Sequence, residues 1–135
     1  MILEKTIAVL PFKNRLNNEE EDYFADGLAE ELVNSLIHIS GIRVISHNSS
    51  MRYKQADLSP GEIAQHLDAH SLIEGSFKKT GSTASVQCKL YDVESRSVIW
   101  TGRFTGNIVD LNAPKSDLIT QVVEAIRDNY GHFDF

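Results

Sequence analysis

The chain has 135 residues, 41% of them hydrophobic and 24% charged, which is the composition of one ordinary globular domain able to bury a core without staples. Its 13 Lys and Arg against 19 Asp and Glu leave a formal net charge of −6, and Lys78 and Lys79 are the only adjacent cations, which argues against nucleic acid as a partner. Cys88 has no second cysteine to pair with, no apolar run approaches the ~20 residues of a membrane helix, and no signal peptide precedes the first strand, so no membrane contact is expected of this segment.

The abrupt opening "MILEKT" and the end just past a helix suit a segment of a longer protein. The parent then decides whether the compartment is cytoplasm or periplasm. "TIAVLPF", Thr6 to Phe12, is a short apolar run of the kind found in a strand covered on both faces, with Pro11 near its end. "NRLNNEEED" reads as a polar loop, in which Asn18 and Glu21 resemble a capping box. From Phe24 through Ala25, Leu28, Ala29, Leu32, Val33 and Leu36, apolar residues recur at helical spacing to about Ile39, and Gly41 suits the residue beyond the end. "IRVIS", Ile42 to Ser46, reads as a second strand. "SPGEIAQHL" opens a short helix with a cap at Ser59, a first-turn proline and the reciprocal acid Glu62.

The last third changes period. "SLIEGSFKK" is a strand and Lys79 to Ser82 a turn. In "TASVQCKLYDV", Ala84, Val86, Cys88 and Leu90 alternate with polar residues. "ESRS" turns the chain again into "VIWTGRFTG", where Val98, Trp100, Gly102 and Phe104 alternate. These are antiparallel hairpins. A last helix spans Pro114 to Tyr130, with Leu118, Ile119, Val122, Val123 and Ile126 at helical spacing. The order β-α-β-α-β-β-β-α with right-handed crossovers predicts a three-layer α/β/α domain. Its five-stranded mixed sheet has the order 2-1-3-4-5, with the fourth strand antiparallel.

Catalytic chemistry finds little purchase. Asp26, Glu30, Glu31 and Asn34 fall on the helix side away from Leu28, Leu32 and Leu36, a solvated face that supplies neither the burial nor the close like charge that a general acid needs. Glu62, His66 and His70 are spaced four apart, but without HExxH they read as surface residues and not as a metal site. Cys88 alternates with Val86 and Leu90 and reads as a buried, inert thiol. His47 near Ser49 and Ser50 is not a triad, and no glycine pattern forms a phosphate cradle. No cofactor is expected. Gly27 stands apart. If the helix begins near Glu19, it is an interior glycine that another backbone could approach; if the helix begins at Asp26, it is an inexpensive first-turn residue.

The segments "IAVLPF", "YFADGLAEEL", "ISGIRVIS", "SSMRYK", "LIEGSF" and "LYDVESRSVIW", in this order, resemble the TolB amino-terminal-like domain. That domain is found in bacterial proteins beside class III adenylate cyclase domains, winged-helix regulators and tetratricopeptide repeats. The resemblance runs from Ile7 to about Ile126. It implies a fold of the anticodon-binding-domain-like type and a non-catalytic regulatory or protein-interaction role, and offers no catalytic residues. The chain departs from the family pattern at Asp68 and His70-Ser71, where a glycine and an aspartate-aromatic pair are usual, and at His47, where an arginine is usual.

Three functional readings follow. The first is an interaction or regulatory domain of a larger signalling protein, meeting a protein partner or neighbouring domain through Asp26, Gly27, Glu30, Glu31 and Asn34. The second is a small-ligand sensor, with a crevice beyond the carboxyl ends of strands one and three near Phe12, Lys13 and Ser76. The third, an enzyme, is the poorest.

Overall fold

The computed structural model describes residues 5–14, 19–39, 41–54, 57–80, 83–107 and 112–130. Apolar β1 (Lys5–Val9) is followed by a two-residue strand β2 (Lys13–Asn14) and by helix α1 (Glu19–Leu36). Next come β3 (Ile42–Val44) and the short helices α2 (His47–Met51) and α3 (Pro60–Leu67). The hairpin strands β4 (Ser71–Thr80), β5 (Thr83–Asp92) and β6 (Ser97–Asn107) lead to α4 (Asn112–Tyr130).

The sheet runs β3-β1-β4-β5-β6, with β2 beside β4. With β2 set aside, this is the order 2-1-3-4-5. β1 pairs parallel with β3 and β4, and β5 runs antiparallel to both β4 and β6. Alternation sorts the strand residues onto two faces. Ile7, Val9, Ile73, Phe77, Val86, Cys88, Leu90 and Phe104 meet Leu28, Leu32 and Leu36 of α1 and Val122 and Ile126 of α4 in the larger core. Ala8, Leu10 and Leu72 face the other way and meet Ile63 and Ala64 of α3. Helices therefore cover both faces. On the α3 side the cover thins beyond Tyr91, and Lys89, Thr101, Arg103 and Thr105 of β5 and β6 are exposed.

α3 starts as its sequence dictates: Ser59 accepts from the Glu62 backbone N–H at 3.3 Å, and Glu62 accepts from the Ser59 N–H at 3.3 Å. Gly41 takes a φ of 80° after α1, a left-handed conformation that glycine adopts without strain.

Four expectations need correction. α2 falls between the expected strand Ile42 to Ser46 and the helix expected from Ser59, where no element was expected; "HNSSM" carries no apolar period, and the helix rests on Ser46, whose hydroxyl accepts from the Ser49 N–H at 3.2 Å. The expected polar loop begins with paired strand β2. Val98 does not share a face with Trp100, because a register shift at Leu90/Tyr91 sets Val98 opposite Tyr91 and leaves it 46% exposed. α4 starts at Asn112, ahead of Pro114. Asn18, Gly81 and Ser82, and the side chains of Tyr23, Phe24, Ala84 and Leu118, lie outside the described residues.

Candidate functional site

Two regions hold the residues singled out by sequence. The first is the outward side of α1. Because the helix starts at Glu19, Gly27 is an interior helix residue, and a Cβ built on it meets nothing within 4 Å. Glu30, Glu31 and Asn34 are exposed. One helical turn further on, Ile37 continues the line; it is 55% exposed, and its N–H still bonds to the Val33 carbonyl. Gly27, Glu30, Asn34 and Ile37 thus form one stripe of polar residues ending in an uncovered isoleucine.

Asp26 does not belong to that solvated face. The Lys54 ammonium, from the turn after α2, donates to Asp26 Oδ2 at 2.7 Å, with the two side chains 24% and 29% exposed. Asp26 Oδ1 is buried without a hydrogen-bond partner among the described residues, as are His47 Nδ1 and the Ser50 hydroxyl of α2. Helical phase alone put Asp26 in water. The packing of α2 against α1 covers it, and α2 was the element that periodicity could not reveal.

The second region is a groove of about 390 Å³ on the α3 side of the sheet, lined by Lys13, Pro60, Glu74, Gly75, Ser76, Gln87 and Lys89. The expected crevice is half here. Lys13 and Ser76 are register partners on β2 and β4 and both line it. Phe12 points the opposite way: it is 2% exposed, and its ring lies under Gly75 in the core. Strand alternation explains the split, since neighbours on one extended chain face opposite sides. Glu74, Gln87 and Lys89 were missed, although Gln87 and Lys89 carry the signal of outward positions alternating with Val86, Cys88 and Leu90. Placing them beside Lys13 requires the cross-strand register.

Register sets out the chemistry of this face. Lys13, Ser76, Gln87 and Arg103 follow one another across four strands as a single rung. Glu74, Lys89 and Thr101 form the rung beside it. Lys78 stands further along β4 on the same face. In a chain of net charge −6, the described strand residues of this face gather Lys13, Lys78, Lys89 and Arg103 against one carboxylate, Glu74.

The remaining candidates are occupied structurally. His70 Nδ1 accepts the Thr6 N–H at 2.9 Å, while the Thr6 carbonyl accepts the His70 N–H at 2.7 Å, so the imidazole extends the ladder of β1. Glu62 caps α3, and His66 is tilted against the Tyr53 ring at 6.1 Å. Burial pushes the Cys88 thiol up to about 12; the Lys89 backbone hydrogen bond opposes this and the nearby Glu74 charge reinforces it. Such a thiol is not a nucleophile at neutral pH. Trp100 and Phe104 pack over Gly102 and join the larger core. No described helix is long and apolar enough to cross a membrane.

The chain belongs to the family described as HilA/YgeH-like transcriptional regulator, second domain, whose model it matches over residues 3–125. It is 30% identical over 122 residues to the Rhizobium meliloti (strain 1021) protein named "Putative adenylate cyclase 3". That match covers 90% of this chain but only 21% of the relative, so the chain spans about a fifth of the relative's length. Among solved structures, the LpoB C-terminal domain from Escherichia coli gives a TM-score of 0.57 at 21% identity, over 79% of this chain and 85% of that one. TolB from Acinetobacter baumannii gives 0.56 at 19% identity, over 95% of this chain and 29% of that one. At these identities the TolB likeness is one of fold.

Proposed function

We propose that this chain is a non-catalytic regulatory domain of a larger bacterial signalling protein, and that it acts by docking the outward side of α1 on a protein surface. That surface is a neighbouring domain of the parent chain or a separate partner. The observation that carries the reading is the stripe Gly27, Glu30, Asn34 and Ile37. An isoleucine 55% exposed, one turn beyond Asn34 and two beyond Glu30, is an apolar anchor at the end of a polar stripe, a composition that suits a helix meeting another protein. Gly27 adds room for a close approach, since no atom lies within 4 Å of its missing Cβ. The comparisons support the reading from another side. The same kind of module is the second domain of a regulator family and a minor share of a protein named as a cyclase, as suits a part that modulates outputs supplied by other domains.

The test is Ile37→Asp combined with Glu30→Lys in the full-length parent. Loss of regulated output with an unchanged melting temperature of the isolated chain supports docking; unchanged output overturns it. The non-catalytic half is tested by assaying the purified chain with nucleoside triphosphates and generic esters. Turnover that follows the chain and vanishes in Asp26→Asn or Glu30→Gln overturns that half.

A further inference from the structure

We propose that the groove between β2, the start of α3, β4 and β5 binds a small organic anion, a carboxylate or phosphate that also carries a hydroxyl or amino group. The case begins with the rung of Lys13, Ser76, Gln87 and Arg103. Adjacent strands lie about 4.8 Å apart, so this rung sets four hydrogen-bond donors along roughly 14 Å of one sheet face. Ammonium and guanidinium groups can only donate, and a row of donors with no carboxylate among them is a surface for negative oxygens. Lys89, in the next rung, brings a second ammonium to the groove that Lys13 lines.

Among the described residues lining the groove, Glu74 is the one carboxylate, directly across from Lys89. Among the described residues no ion pair joins the two. Glu74 therefore sets a condition on the ligand: a group near it must donate, which favours a hydroxyl or ammonium on the anion and disfavours a second bare negative charge. The volume of about 390 Å³ lies within the ~300–1,000 Å³ usual for small-molecule sites, and is far too small for a folded partner. Lys78 and Arg103 on the same face draw an anion in against the chain's overall negative charge. The groove and α1 lie on opposite faces of the sheet, so this inference stands apart from the docking reading and neither fails with the other.

The experiment is thermal melting and titration calorimetry of the chain with glycerol 3-phosphate, glutamate and inorganic phosphate, at ionic strength held constant with chloride. At tenfold excess over its Kd, a bound ligand raises Tm by roughly 3–6 °C for a domain of this size. Lys13→Ala and Lys89→Ala each weaken binding tenfold or more, while Lys78→Ala, an equal charge change outside the groove, changes it less than threefold. Glu74→Gln tightens inorganic phosphate relative to glycerol 3-phosphate or glutamate. Binding of glycerol 3-phosphate without glutamate identifies the phosphate as the recognised group, and the reverse the carboxylate; either supports the site, whereas inorganic phosphate bound as tightly as or more tightly than both organic ligands overturns the role given to Glu74 and with it the proposal. No shift with any probe, or equal losses in Lys13→Ala and Lys78→Ala, overturns it.

Discussion

Gly75→Ala should destabilise this domain although alanine is the better strand residue. An ideal Cβ at Gly75 would stand 2.5, 2.6 and 2.7 Å from three carbons of the Phe12 ring, where non-bonded carbons settle at about 3.5–4.0 Å. The ring must therefore move by about 1 Å. It has little room to do so: Phe12 is 2% exposed, and the very next residue, Lys13, is held to Ser76 by the β2–β4 pairing. Overpacking of this kind costs about 1–3 kcal/mol, against about 0.5–1 kcal/mol recovered by giving up a strand glycine. The net loss centres on about 1 kcal/mol, with an upper end of about 2.5 kcal/mol, read as a shift in urea midpoint at unchanged m-value. Phe12→Leu in the same chain supplies the control. Alone it leaves a small void, but combined with Gly75→Ala it should cost less than the sum, by at least about 0.5 kcal/mol, because both changes act on one contact. A Gly75→Ala variant as stable as the parent, or strict additivity, would refute the contact.

Gly27→Ala should move stability the other way, gaining about 0.5–1 kcal/mol in a denaturant melt, since a methyl there meets no atom within 4 Å and α1 loses an interior glycine. If α1 docks as proposed, the same variant weakens assembly of the parent protein, which a binding assay detects. Asp26→Ala should cost about 1–2 kcal/mol, more than an exposed pair and less than a fully buried one, with a double-mutant cycle against Lys54→Ala giving a coupling of at least about 0.5 kcal/mol. His70→Ala should cost about 1 kcal/mol by leaving the Thr6 N–H without its imidazole partner, measured in the same melts. Cys88 should resist iodoacetamide in the native state at pH 8 and react in urea. Burial raises its pKa to about 12, so the reactive thiolate stays scarce well above neutrality and becomes available only on unfolding.

Legibility in the sequence followed the kind of signal each element carries. The elements came from hydrophobic period, which α1, β5 and α4 display over many residues, and the strand order then came from the right-handed crossover rule. The capping box of α3 was legible because Ser59, Pro60 and Glu62 are local chemistry. α2 was not, since five residues with no apolar repeat give periodicity nothing to detect. That one omission carried a consequence into the candidate site. Without α2 and the turn after it there is no Lys54 beside α1, and Asp26 reads as solvated. The crevice failed at a different level. Phe12 and Lys13 were placed together because they adjoin in sequence, whereas a strand separates adjacent side chains to opposite faces. A period of two carried from Ile7 and Val9 through Pro11 would put Phe12 with Ala8 and Leu10; the phase slips around Pro11, so Phe12 joins Ile7 and Val9 in the larger core and Lys13 faces the other side beside Ser76. The companions Gln87 and Lys89 needed one fact more, the register of the β4–β5 hairpin. That register sets Thr80 opposite Thr83 and, counting back along the two strands, Ser76 opposite Gln87 and Glu74 opposite Lys89.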